Sequence, residues 1–203
     1  MNGLWPWLWA AGLGAYHGLN PAMGWLFALA IGLQEKRRSA VATALVPIGL
    51  GHLGATGLVV GLLALARQIL PPGSLKVGAG LVLLTFGLYR LGRLRHPVRV
   101  GFRAGFWDLT LWSFLMASAH GAGLMLTPAA LAVTAHPHHP VPEAAPAAGL
   151  TLVHGLAMFA AAGLTALVVY EWVGVGILRR AWLNTDVIWA AALVGTGIFT
   201  LAF

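Results

Sequence analysis

Six long apolar runs, set apart by short polar or basic segments, restrict what this chain can become. They lie at about residues 4–33, 40–65, 75–91, 106–134, 147–173 and 187–203. A helix that spans a bilayer needs about 20 mostly apolar residues, so six such runs use most of the 203 positions. Formal charge is scarce: 12 basic and 5 acidic side chains, 8% of the residues, against about 25% in a soluble domain. Together with a mean hydropathy of +0.83, this leaves no solvated surface for a globule of this size. The expectation is an all-α integral membrane protein with six transmembrane helices. The absence of cysteine excludes disulfides, thiolate metal sites and thiol redox chemistry. The start has no basic segment and its apolar stretch is too long for a cleaved signal peptide.

The basic residues set an orientation. Lys36, Arg37, Arg38, Arg90, Arg93, Arg95, Arg99, Arg103, Arg179 and Arg180 fall on one side of a six-span chain, and only Arg67 and Lys76 on the other. An excess of Lys and Arg in short loops marks the cytoplasmic side. Both termini and the loop His136–His139 are therefore expected outside, in a bacterial plasma (inner) membrane. Basic residues confined to such loops make no phosphate-binding face, so nucleic acid is not an expected partner.

The two halves echo one another. Gly14-Ala15-Tyr16-His17-Gly18 resembles Ala117-Ser118-Ala119-His120-Gly121, and Gly51-His52-Leu53 resembles the stretch around His154-Gly155-Leu156. His17 and His52 are 35 residues apart, His120 and His154 34. The ends of the third and sixth runs, around Thr85-Phe86-Gly87 and Thr196-Gly197, are also alike. Three spans per unit invert the second copy, giving a 3+3 inverted repeat of the kind found in secondary transporters. Residues 1–104 would form the first three-helix repeat with the basic cytoplasmic loop after it. Residues 105–203 would form the second, within one membrane domain.

Histidines 17, 52, 120 and 154 fall inside the apolar runs, each beside a glycine. At 1.5 Å rise per residue, the first three lie about 18–21 Å from the start of their spans, and His154 about 10–12 Å. Ionisable groups at such depth are costly and face the bundle interior. One histidine there reads as a neutral packing group between helices; four at related positions read as a site. Imidazole offers metal coordination, proton relay or haem ligation. Met116 precedes His120 by four residues and Met158 follows His154 by four, so each shares its histidine's helix face. Asn20-Pro21 is expected to break the first span, because proline removes a backbone donor. Irregular backbone at membrane depth is tolerated where it lines a cavity. Thr127-Pro128 is expected to interrupt the fourth span similarly. The tract His136-Pro137-His138-His139 could collect metal ions outside. Asp108, Glu171 and Asp186 belong at cytoplasmic span ends, pairing with arginines or anchoring helices.

His17-Gly18-Leu19-Asn20-Pro21-Ala22-Met23 with Gly51-His52 in the next helix resembles the NicO/UreH-type nickel/cobalt transporter group of the lysine-exporter-like superfamily. In that group the first helix carries a His-Ala-x-Asp-Pro-Asp-His-like motif and the second a Gly-His. The specific resemblance covers about 40 residues; beyond them only the architecture matches. It implies substrate-binding roles for His17, Asn20, Pro21 and His52. Asn20 stands where the motif has aspartate, Ala22 where it has a second acid, and Met23 where it has a second histidine. An imidazole, amide and thioether set suits a softer, singly charged ion such as Cu(I) better than a divalent one.

The leading expectation is a secondary transporter that exports a transition-metal cation by alternating access. Its midplane site would be His17, Asn20, Pro21, His52, His120 and His154, with the four histidines as metal ligands. The sequence demands no cofactor; Ni, Co, Zn or Cu is the candidate bound metal. No phosphate-binding loop and no catalytic constellation point to an enzyme. A carrier of a small organic solute such as an amino acid, and a histidine-ligated membrane haem or redox protein, are the alternatives. The bilayer is a partner in each case, and a homo-oligomer is left open.

Overall fold

The computed structural model describes residues 3–92, 105–133, 144–173 and 185–202. These residues form helices with no strand among them: α1 (Trp5–Leu19), α2 (Trp25–Glu35), α3 (Arg38–Ile69), α4 (Pro72–Gly92), α5 (Phe106–Ala119), α6 (Thr127–Val133), α7 (Ala144–Val168) and α8 (Thr185–Ala202). The helices α3, α4 and α7, the last continued by a π-helical turn (Val169–Val173), are each long and apolar enough to cross a membrane. The bent pair 106–119 and 124–133 makes a fourth such span. The first and sixth apolar runs fall short of that length. The first is split into helices of 15 and 11 residues, about 22 and 16 Å long at 1.5 Å per residue. The apolar part of the sixth, Ala190–Ala202, is likewise short.

Both breaks have local causes. Asn20 leaves the helix at φ −69°, ψ 120°, and its Oδ1 accepts the amide of Ala22 at 3.0 Å, capping a short 3₁₀ turn (Pro21–Met23). Gly24, at φ +114°, then redirects the chain into α2, a conformation that costs glycine little. The indole of Trp25 donates to the carbonyl of Leu19 at 3.2 Å, serving one of the helix-end acceptors. The second break does not fall at Thr127-Pro128. It falls at His120 and Gly121, where Gly121 takes φ +69°. A 3₁₀ turn (Leu124–Leu126) follows, and Pro128 sits in the first turn of α6, where a missing amide costs nothing. The two arms meet at 53°.

Four pairings hold the bundle: α1 on α7, α3 on α5, α3 on α7, and α4 on α8. Glycine permits the close ones, as in membrane helices generally. A Cβ on Gly18 would come within 2.8 Å of Ala161 Cβ and Ala162 N; one on Gly51 would lie 2.9 Å from Ser113 Cβ and Phe114 N. The core joins Met23, Leu29, Ile48, Leu83, Met125, Met158 and Leu193. Leu58, Leu62, Leu111, Leu115, Leu156 and Leu164 stand exposed on the outer faces, as lipid-facing residues do. Pro47 lies inside α3 without breaking it.

Candidate functional site

Four helices each deliver one histidine to the interior. His17 (α1), His52 (α3) and His154 (α7) are fully buried, and His120, at the end of α5, is nearly so. The rings of the first three form a triangle. Their centroids lie 5.3 Å apart for His17–His52, 4.9 Å for His17–His154 and 5.3 Å for His52–His154. His120 is within electrostatic range of His17 and His52. The helix that carries His154 begins before the apolar run that the sequence marks. The helix α7 starts at Ala144, so ten residues, about 15 Å of helix, precede His154, and its ring meets that of His52 directly.

The hydrogen bonds assign tautomers, since a carbonyl can only accept. His17 Nδ1 donates to Leu13 O at 2.6 Å, and His120 Nδ1 donates to Met116 O at 2.8 Å. Each bond reaches back one helical turn, to the residue four positions earlier. His154 Nδ1 donates across the α1–α7 contact to Ala10 O at 3.2 Å. In the neutral form each of these rings keeps its lone pair on Nε2. His52 Nε2 and His154 Nε2 are 3.1 Å apart. Since His154 Nε2 carries no proton, His52 Nε2 donates to it, which leaves the lone pair of His52 on Nδ1. That atom is buried and has no hydrogen-bond partner among the described residues. A buried acceptor left so costs about 1–3 kcal/mol.

The four imidazoles thus hold one ring lone pair each, and no carboxylate joins them among the described residues. Glu171 pairs with Arg38 at 3.3 Å, Glu35 pairs with Arg37, and Asp108 Oδ2 caps the amide of Gly105 at 2.9 Å. All three lie at helix ends, as expected of Asp108 and Glu171. Among the described residues, no group of three or more His, Asp or Glu side chains is disposed to hold a metal ion. In this conformation the Nε2 atoms of His52 and His154 face one another in a hydrogen bond.

Asn20 and Pro21 shape the break that follows His17, and the Asn20 carboxamide oxygen is committed to its own turn. Met158 is buried in the core, and Met116 contributes its backbone carbonyl to His120. The His136–His139 tract, the Arg93–Arg103 loop and the Asp186 side chain lie outside the described residues.

Several participants escaped the sequence reading. Ser113 Oγ donates to Ile48 O at 2.7 Å, locking α5 onto α3 beside His52. Thr56 Oγ1 returns a bond to His52 O at 3.0 Å. Trp9 Nε1 donates to Met125 O, at the second break, at 3.1 Å. Trp112 packs its ring edge-on to Phe27, centroids 4.5 Å apart, and against Gly24 at the first break. The available signal was register: Trp9 and Trp112 each stand eight residues before a histidine. No family model, curated protein or solved structure matches this chain.

Proposed function

We propose that the chain is a secondary transporter that binds a transition-metal cation at the His17, His52, His120 and His154 cluster and exports it by alternating access. The observation that carries this reading is the gathering of four buried imidazoles, one lone pair each, with no carboxylate beside them among the described residues. Three imidazoles around one ion, with metal–nitrogen bonds of about 2.0–2.1 Å, place ring centroids about 5–6 Å apart. The triangle of 4.9 to 5.3 Å is close to that size. A cation that enters replaces the His52–His154 hydrogen bond with coordination bonds, His52 then carrying its proton on Nδ1 so that Nε2 offers its lone pair. The lack of negative charge favours a soft, singly charged ion over a divalent one. That is the preference implied where Asn20 and Met23 depart from the nickel/cobalt transporter motif.

The proposed frame is six spans in a 3+3 inverted repeat, with α1 and α2 as one broken span. Exchanging the halves turns the α1–α7 contact into the α3–α5 contact and leaves α3–α7 and α4–α8 unchanged, and all four contacts occur. The α4–α8 contact is reciprocal in detail. A Cβ on Gly87 would meet Leu193 and Val194, and one on Gly197 would meet Leu83 and Leu84, each pair 110 positions from its counterpart. In this proposed frame both termini lie outside a bacterial inner membrane, with Arg38 and Glu171 on the cytoplasmic side, as the excess of basic residues there supports.

The test is flux in liposomes of purified protein, assayed with Cu(I), Ni(II), Co(II) and Zn(II). Uptake of at least one metal is expected, lost in His17→Ala and in His52→Ala. Unchanged flux in both variants would remove the cluster from the path. A pigmented preparation with a haem absorption band would replace this reading with the redox one.

A further inference from the structure

The two halves are not equally bonded in this conformation, most plainly at one pair of tryptophans. With His17 set against His120, the offset between halves is 103 residues, which also sets Trp9 against Trp112 and Ala22 against Met125. Trp9 Nε1 donates to Met125 O at 3.1 Å, tying the start of α1 to the second break. Its counterpart Trp112 Nε1 is buried and has no hydrogen-bond partner among the described residues. The Trp112 ring nevertheless lies against the first break, where a Cβ on Gly24 would be 3.2 Å from its Cζ3. The histidine pair is also unequally bonded. His154 Nδ1 has the carbonyl of Ala10, whereas His52 Nδ1 has none. The residue 103 positions after Ala10 is Ser113, whose hydroxyl is instead turned to Ile48 O. The unpartnered indole N–H therefore lies on α5 and the bonded one on α1.

A buried indole N–H without an acceptor costs free energy in any state that keeps it so. An inverted repeat offers a second state at no cost in new chemistry, the one in which the halves exchange conformations. We infer that Trp9 and Trp112 are a matched pair of positioning residues. Trp9 holds the second break in the conformation described here, and Trp112 holds the first break in the opposite-facing one by donating to the carbonyl of Ala22. In that second state Met125 O is released and α5 is tied to the Asn20–Gly24 segment as α1 is here tied to the Gly121–Leu126 segment. The two indoles thus set the balance between the two faces of the transporter. This rests on the inverted-repeat part of the proposed function and not on the cargo.

The chain has no cysteine, so two can be placed at will. A Cβ on Gly12 or on Gly61 meets nothing within 4 Å, and the two positions lie on helices that belong to different contact pairs. Nitroxide labels at Gly12→Cys and Gly61→Cys, in the full chain in lipid vesicles without added metal, report the states as distance populations by double electron–electron resonance. Trp9→Phe is expected to raise the second population and Trp112→Phe to lower it, each by about fivefold in the ratio, the equivalent of one neutral hydrogen bond. The double variant is expected to return near the starting ratio. Replacing either indole by benzothienylalanine, which keeps the ring shape and lacks the N–H, gives the same shifts if the hydrogen bond is the cause. Shifts of the same sign, or a ratio indifferent to both sites, overturn the inference. Opposite shifts in a protein that moves no metal would uphold it while removing the metal reading.

Discussion

Gly51→Ala is the sharpest probe of how α3 and α5 hold His52 in place. The added Cβ would lie 2.9 Å from both Ser113 Cβ and Phe114 N, and closer still to the carbonyl oxygen of Thr110. Carbon contacts are most favourable at about 3.5–4.0 Å, so the helices must part by about 1 Å at this point. Such overpacking costs about 1–3 kcal/mol. The Ser113 Oγ to Ile48 O bond, 2.7 Å long, stretches beyond useful length in the same movement, adding about 1 kcal/mol. The expected loss is therefore about 2–4 kcal/mol. Gly61→Ala is the matched control, since its Cβ meets nothing within 4 Å, and alanine in a helix gains up to about 1 kcal/mol over glycine. Reversible unfolding in mixed micelles, followed by far-ultraviolet circular dichroism as the denaturing detergent fraction rises, reads both. Gly51→Ala should unfold at a lower fraction than the native chain, and Gly61→Ala at the same or a higher one. If Gly51→Ala unfolds no earlier than Gly61→Ala, the close α3–α5 approach is not what holds the helices there.

His154→Ala should destabilise the bundle by about 1–3 kcal/mol, because it strands the Nε2 proton of His52; the same unfolding titration measures it. Asn20→Asp keeps the cap on Ala22 and adds a carboxylate near His17. It is expected to raise divalent flux relative to monovalent flux, whereas Asn20→Ala should cost about 1 kcal/mol of stability without changing that preference. An unaltered ion ratio in Asn20→Asp would place the first break outside the cargo path.

The sequence predicted best what depends on single residues with strong local chemistry. Asn20-Pro21 announced the first break because proline cannot donate and asparagine caps. The four histidines announced a buried cluster because nothing else ionisable lay so deep in the apolar runs. The second break was misplaced because Pro128 drew attention, although a proline in a first helical turn breaks nothing; the informative residues were Gly121 and Gly123 beside His120. The start of the helix carrying His154 was not legible, because α7 begins inside the proline-bearing segment at Ala144, where composition suggests a loop. The bonds that decide the site's chemistry were not legible at all. Whether His52 donates to His154 or both face a shared ion depends on helix rotation to within an ångström, which no pattern of residue types records. Ser113 and Trp112 looked like ordinary members of an apolar helix for the same reason.

The peripheral placement of Glu35, Asp108 and Glu171 has an electrical consequence. A cluster of neutral imidazoles brings no countercharge of its own, so on the proposed reading a bound cation would cross the bilayer with its charge intact. In a cell negative inside, expelling that charge opposes the membrane voltage by about 2.3 kcal/mol per elementary charge for each 100 mV. On the proposed reading, export without a counter-ion is a current, and its rate in vesicles is expected to follow an imposed potential. A carboxylate at position 20, where this chain has Asn20, would cancel one unit of that charge and lessen the dependence on voltage.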